Sequence, residues 1–424
     1  MDVRLFGGRL LFFAVATLFL SAFLLAPRDG FTQEASRFRL GSLEIHPGVD
    51  VSVQRDNNIF KSNSSAKSDT ILTYVPEINF DLKIPDSKES SITAGLKYEI
   101  IDFDKFGGED VENLTAKGGL KLERIDGNVY SRTDAQWLDT SDASSSETQS
   151  TTGPRTPRTE GKIDTKLGVG GYDDERQSKS HLQVSAGLTR NRYDRAAQNR
   201  LENNETRGGV IAERAISPKT SLKLVYEFVR TRYINRASTA QNDDARSHSL
   251  RAGVSLHPTA MISGSATVGA VRKLFDRNDL NDGSSRDTTG VSADIDLTWE
   301  ARPSKTKVNV TFTSGIENAS SPGQFGFRNW KIGGKLTQGL FLISDNLELS
   351  FSPSISTDAF INDSSNRKDN LLTISTDIKY SSPSKRLPWF ATVSYARESK
   401  TTNVNKSSTE YSQAEYGLKM GVVF

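Results

Sequence analysis

The chain contains no cysteine, only 4 histidines among its 424 residues, and only 35% hydrophobic residues. Without thiols there is neither a disulfide framework nor a thiolate metal centre. A soluble domain of this length would bury a larger apolar core, so either much of the chain is disordered or its apolar residues face something other than protein. Charge of one sign is also missing: 54 basic residues offset 52 acidic ones along the whole chain, for a net +2. That excludes the basic stripe a nucleic-acid partner requires. Long hydrophobic runs are absent too, with one exception at the amino terminus.

There, Arg4 and Arg9 precede LLFFAVATLFLSAFLLA, which runs from Leu10 to Ala26 before polarity returns with PRDGFTQEASRF. A basic start followed by a run of this length has the pattern of a secretory signal peptide. A retained membrane anchor is the alternative, since no crisp A-x-A cleavage site follows. Residues 1–35 are therefore assigned to the signal segment and 36–424 to one domain.

What the rest of the chain has in abundance is a period of two. Leu72, Tyr74, Pro76, Ile78, Phe80 and Leu82 alternate with polar residues, as do Ile92, Ala94, Leu96 and Tyr98, and Val291, Ala293, Ile295, Leu297 and Trp299. Such alternation gives strands with one oily and one polar face, and no segment reads as an amphipathic helix. About eighteen strands are expected, near 42–54, 69–84, 91–103, 112–124, 128–140, 156–171, 181–193, 204–216, 221–234, 246–257, 262–275, 287–300, 307–316, 327–343, 347–357, 370–380, 389–398 and 411–424. They are longer than the strands of soluble sheets and suit tilted crossings of a bilayer. Short connections such as IDG at 125–127 and SPKT at 217–220 alternate with long polar ones such as DRAAQNRLEN and INRASTAQNDDA. Short-long alternation over an even number of strands is the pattern of an all-β, antiparallel, up-and-down transmembrane barrel of 16–18 strands, with both termini in the periplasm. The loop RNDLNDGSSRD is no calcium loop, because Leu280 occupies a ligand position.

If the oily parity meets lipid, amphipathic rings belong at strand ends. Trp137 and Trp330 lie beside long loops, and Trp299 and Trp389 beside short turns. The opposite parity carries Lys97, Glu99, Lys117, Lys121, Asp164, Lys166, Lys223, Glu227, Asp294, Asp296, Lys335, Glu348, Asp377, Lys379 and Lys419, which are expected to line a wet lumen with nearly balanced charge. Arg190, Arg230, Arg272 and Arg397 continue the lipid-facing parity at the ends next to long loops, as do Arg192, Arg232, Arg328 and Lys368. They are either a collar for lipopolysaccharide phosphates or cations snorkelling into water. The final EYGLKMGVVF places Tyr416, Leu418, Met420, Val422 and Phe424 on one parity, which resembles the recognition signal of the barrel-assembly machinery.

The opening strands, LEIHPGVDVSVQRDNNIF and SDTILTYVPEINFDLKI, resemble the β-barrel porin type 2 family of outer-membrane proteins. The resemblance rests on Asp56, Asn57, Asn58, Ile59 and Phe60, and on Pro76 in an apolar strand. It implies a Gram-negative outer-membrane protein associated with exopolysaccharide or capsule loci, acting as a passive conduit or accessory for surface polysaccharide. It supplies no catalytic residue and no cofactor.

A hydrolase would need a nucleophile beside a base, but His46, His181, His248 and His257 are scattered over separate strands, so catalysis is set aside. The leading reading is a porin-like conduit. The stretch from Ser141 to Glu160 is a candidate for a constriction loop or an external one. A closed barrel whose loops bind a partner is the competing reading.

Overall fold

The computed structural model describes residues 38–423, apart from 86–89, 124–128, 142–156, 171, 174–175, 178–179, 195–200, 235–243, 257–260, 277–286, 303–305, 319–325, 341–342, 362–364, 385–387 and 405–409. The signal segment, Phe424, His257, residues 142–156 of the Ser141–Glu160 stretch and residues 277–286 of the rejected calcium loop lie outside the described residues.

Eighteen long strands form the wall: β1 Leu43–Asp56, β2 Asp69–Lys83, β3 Ser91–Phe103, β4 Val111–Glu123, β5 Val129–Thr140, β6 Arg158–Val169, β7 Ser180–Tyr193, β8 Asn203–Ser217, β9 Thr220–Tyr233, β10 Ala245–Leu256, β11 Ile262–Phe275, β12 Thr288–Arg302, β13 Thr306–Asn318, β14 Gly326–Gly339, β15 Leu347–Phe360, β16 Lys368–Ser381, β17 Trp389–Thr402 and β18 Tyr411–Val423. Each pairs antiparallel with its sequence neighbours, and β1 pairs with β18 from Gly48 opposite Val423 to Asp56 opposite Glu415. The sheet therefore closes on itself, which leaves no exposed edge to template aggregation. A three-residue strand, Phe38–Leu40, folds back on the start of β1.

The even strand count puts both ends of the wall at one rim, called here the terminal rim. Long connections such as 57–68, 141–157, 234–244 and 276–287 all fall at the far rim, while 218–219 and 303–305 are short terminal-rim connections. The alternation is not strict: the terminal-rim connections 84–90, 340–346 and 382–388 are as long as the far-rim ones 104–110, 319–325 and 361–367. The terminal-rim segment 170–179 is as long as several far-rim loops and holds its own small ladder, Tyr172–Asp173 against Arg176–Gln177.

Two prolines interrupt the wall. The β2–β3 ladder runs to Tyr74 opposite Ile100 and resumes at Glu77 opposite Lys97, skipping Pro76. Around Pro353 the β14–β15 ladder likewise skips from Gly333 opposite Ser354 to Leu336 opposite Phe351. Proline has no N–H to give the ladder, so each gap is the direct result of one residue.

The wall is not evenly curved. Strands two apart come together through several residues only along β9–β13, among the described residues. Hydrogen bonds cross the bend: Ser249 Oγ donates to Ser292 Oγ at 3.0 Å, from β10 to β12, and Asn318 Nδ2 donates to Thr231 Oγ1 at 3.2 Å, from β13 to β9. Glycines make so tight a corner possible. A Cβ on Gly253 would sit 1.9 Å from the Ala266 carbonyl oxygen, and one on Gly269 would sit 1.8 Å from that of Leu250.

Among the described residues there is no central apolar core. Most buried apolar side chains, including Phe103, Val111, Tyr193, Phe275, Phe327, Phe360 and Tyr411, lie at the far-rim ends of strands on the interior parity. Phe327 packs against Phe360 there, with ring centroids 5.4 Å apart.

Candidate functional site: the polar wall and its seam

The two parities of the wall differ in accessibility in the reverse of a soluble protein. Leu188, Val268 and Val291 are each 60% exposed, whereas Ser221 is 0% and Ser292 3% exposed. In a closed barrel the covered parity is the interior, because inward side chains converge and outward ones diverge. Polar groups therefore line the inside and aliphatic groups the outside. Trp137, Trp299, Trp330 and Trp389 all stand on the outer parity near strand ends, two toward each rim.

The charges expected in the lumen, from Lys97 and Glu99 on β3 to Lys419 on β18, all occupy the interior parity. Over β3–β8 they are organised by a simple rule. Residues i and i+2 of a strand share a face, and here they carry opposite charges. Lys97 lies 3.5 Å from Glu99, Lys121 3.2 Å from Glu123, Arg132 2.8 Å from Asp134 and Lys162 2.9 Å from Asp164. Arg207 pairs with Glu205 in the same way. Exposed pairs of this kind contribute little stability, but they neutralise the field along the wall. Across the lumen the wall is hydroxyl-bearing: Ser352 stands opposite Ser375, and Ser354 lies between Gly333 and Thr373.

Toward the terminal rim a polar chain joins strands that are not neighbours. Tyr130 of β5 donates to Gln183 Oε1 at 2.9 Å and meets His181 Nε2 at 2.8 Å. The other imidazole nitrogen lies 3.5 Å from Glu213, which also receives Ser255 Oγ at 3.0 Å and has Lys223 at 3.6 Å. In the sequence His181 is one of four scattered histidines with no role. Its bonded neighbours are a phenol and a carboxylate, which makes it a brace across the wall. His46 stands 3.7 Å from Glu44, and His248 accepts or donates a 2.9 Å bond with Tyr226 on the outer face.

The Asp-Asn-Asn motif builds the seam. Asn57 exchanges two bonds with Ala414 of β18: its N–H donates to the Ala414 carbonyl at 3.1 Å, and the Ala414 N–H donates to its Oδ1 at 2.7 Å. Asn58, 1% exposed, donates from Nδ2 to the carbonyls of Ser62 and Ser412 at 2.8 and 2.9 Å, and accepts the Ser62 N–H at 3.0 Å. Gln413 Nε2 donates to Asp56 at 2.5 Å. Lys61 and the Tyr411 hydroxyl both donate to Glu398 Oε1, at 2.7 and 2.6 Å. Phe60 packs edge-on against Phe106 of the next far-rim loop at 5.4 Å, and Ile59 N–H closes the first loop on the Lys67 carbonyl. The sequence singled out these residues for their resemblance, and the geometry gives them a mechanical task. Pro76 lies apart, on the outer face in the middle of β2.

Of the carboxy-terminal alternation, Tyr416, Leu418 and Met420 are exposed on the outer parity, and Val422 continues it opposite Val49. Arg190, Arg230 and Arg272 fall on alternate strands, β7, β9 and β11, whereas Arg397 is alone on β17. Arg328 is engaged, donating to Thr288 Oγ1 and the Thr289 carbonyl at 3.4 and 3.3 Å.

Comparison with known proteins places these features. The family described as "Putative beta-barrel porin 2" matches residues 33–421. None of the curated proteins matches this sequence. Among solved structures, Pseudomonas aeruginosa OccK2 (OpdF) is similar with a TM-score of 0.48 at 12% identity, over 92% of this chain and 99% of that one. Pseudomonas aeruginosa OpdL has a TM-score of 0.43 at 11% identity, over 91% and 99%. A structure described as a bacterial polysaccharide outer membrane secretin has a TM-score of 0.40 at 10% identity, again over 91% and 99%.

Proposed function

The chain belongs to the beta-barrel porin 2 family, and we propose that it forms a passive aqueous conduit across the outer membrane, with the terminal rim in the periplasm and the far rim outside. The observation that carries this reading is the reversed polarity of a closed eighteen-strand wall, oily outside and polar within. A barrel of this strand number encloses an aqueous channel unless something fills it. The paired charges of β3–β8 make that channel weakly selective for ion sign. Hydroxyls on β15 and β16 offer partners to uncharged polar solutes, consistent with a role in or beside the passage of surface polysaccharide. Neither the ion-paired wall nor the hydroxyl wall presents the cationic track a strongly acidic polymer would need.

The test is single-channel recording of the folded protein in a planar bilayer, together with swelling of liposomes in neutral sugars. Steady open-channel current with weak selectivity, and swelling that falls with sugar size, are the expected results. One observation favours a second reading: a belt of buried apolar side chains, Phe103, Phe275, Phe327 and Phe360 among it, stands on the interior parity at the far-rim end of the wall, where inward-folded loops would seat. Silence in the bilayer from protein that is heat-modifiable on gels supports that loop-closed barrel and overturns the conduit.

A further inference from the structure

On the outer face at the far rim the cations are concentrated rather than spread. Arg230 of β9 stands directly opposite Arg246 of β10, a residue the sequence pattern did not single out. Along β10, His248 stands opposite both Phe228 and Arg272. Arg232 follows on the same face of β9, opposite Asn204, which is itself opposite Arg190. Directly opposed like charges on one sheet face repel unless an anion lies between them. Within β7–β11 the outer parity supplies no acid; Arg246 reaches only Asp276, at 3.9 Å. Among the described residues, the side chains of Arg190, Arg230, Arg232 and Arg272 make no hydrogen bond or ion pair.

Beside this patch the outer wall is hollowed. Ala116, Trp137, Gly161 and Arg190 form one row across β4–β7, and the small residues Gly118 and Ala135 lie in the next row toward the middle of the wall. Together they bound a groove of about 700 Å³ that opens onto Arg190. The groove is apolar and sits on the hydrocarbon side of the cations.

We propose that this face holds one phosphorylated glycolipid of the outer leaflet, a lipopolysaccharide, with an acyl chain in the groove and a phosphate among Arg230, Arg246 and Arg272. Guanidinium groups bind phosphate through paired, planar hydrogen bonds, and a phosphate relieves the Arg230–Arg246 repulsion. The groove argues for a lipid rather than for free phosphate. The assignment rests on the far rim facing the outer leaflet, as the proposed function has it.

The test uses the full chain folded in detergent, with lipid A as probe and tryptophan fluorescence, to which Trp137 at the groove contributes, as readout. The wild-type protein is expected to bind lipid A at least tenfold more tightly than the triple variant R230Q/R246Q/R272Q, and to bind dephosphorylated lipid A no better than that variant does. Gly161→Leu fills the groove without backbone conflict, since nothing lies within 4 Å of a Cβ there, and is expected to weaken lipid A binding. Heat-modifiability confirms that each variant is folded. Equal binding by the triple variant, equal binding of the dephosphorylated lipid, or displacement by inorganic phosphate at comparable concentration would each overturn the proposal. Orientation is read separately, by labelling Ala66→Cys on intact cells with an impermeant maleimide; labelling only after lysis refutes the outward far rim and the physiological site together, whatever the detergent result.

Discussion

Asn58 offers the sharpest perturbation of the seam. Its side chain is buried and makes three hydrogen bonds, two donated to carbonyls of Ser62 and Ser412 and one accepted from the Ser62 N–H. At about 1 kcal/mol each, Asn58→Ala removes about 3 kcal/mol from the docking of the first far-rim loop onto β18. That corresponds to a roughly hundredfold rise in the population of the opened loop, if opening is fast relative to cleavage. Lys61 and Lys67 lie in this loop, so trypsin applied to folded protein in detergent measures the opening directly. Asn58→Asp separates hydrogen bonding from packing. It keeps the acceptor for the Ser62 N–H but turns a charged oxygen toward two carbonyls, so it should open the loop more than alanine does. If Asn58→Asp were cleaved more slowly than Asn58→Ala, or if neither changed the cleavage rate, the assignment of the motif to seam closure would be wrong.

Other consequences can be checked alongside. Gly253→Ala and Gly269→Ala each place a Cβ within 2 Å of a backbone carbonyl and should sharply lower the yield of folded barrel on heat-modifiability gels, whereas Gly161→Ala, with open space around it, should not. Lys97→Gln combined with Lys162→Gln leaves Glu99 and Asp164 without their bases and should shift the zero-current potential in a salt gradient toward cation preference, at nearly unchanged conductance. An unmoved potential would mean that ions do not pass along this part of the wall.

The strand plan was readable because one signal, the period of two, is imposed by the wall itself. Every strand must show lipid one parity and water the other, so the pattern persists even in β15, where Ser350, Ser352, Ser354 and Ser356 alternate with Leu349, Phe351, Pro353 and Ile355. The i, i+2 pairs of β3–β8 follow the same period and stand in plain sight as K-x-E and K-x-D. What alternation does not encode is curvature. Nothing local to Gly253 or Gly269 says that they mark the tight corner, since glycine is common throughout the chain. Contacts across that corner, such as Asn318 with Thr231, depend on how far the sheet bends, which is a property of many strands together. The His181 brace was hidden similarly: Tyr130 and Glu213 are far from it in sequence and reach it only through strand order.

Closure explains why the most recognisable motif sits where it does. The first and last wall strands, far apart in sequence, are joined only by closure of the whole sheet, and a slip of one residue in their pairing would turn every side chain of β18 to the wrong face. Backbone bonds alone do not prevent a slip, because each register offers a similar ladder. Side chains do: Asp56 is tied to Gln413, Asn57 to Ala414 and Asn58 to Ser412, three successive residues on each side. The three ties fix the register at the far end of a seam that elsewhere alternates aliphatic residues outside with polar ones inside. They also draw loop 57–68 down onto β18, so the same residues align the closing strands and order the loop above them. On this account the motif marks how the barrel shuts, and the proposed passage draws instead on the paired charges and hydroxyls of the interior wall.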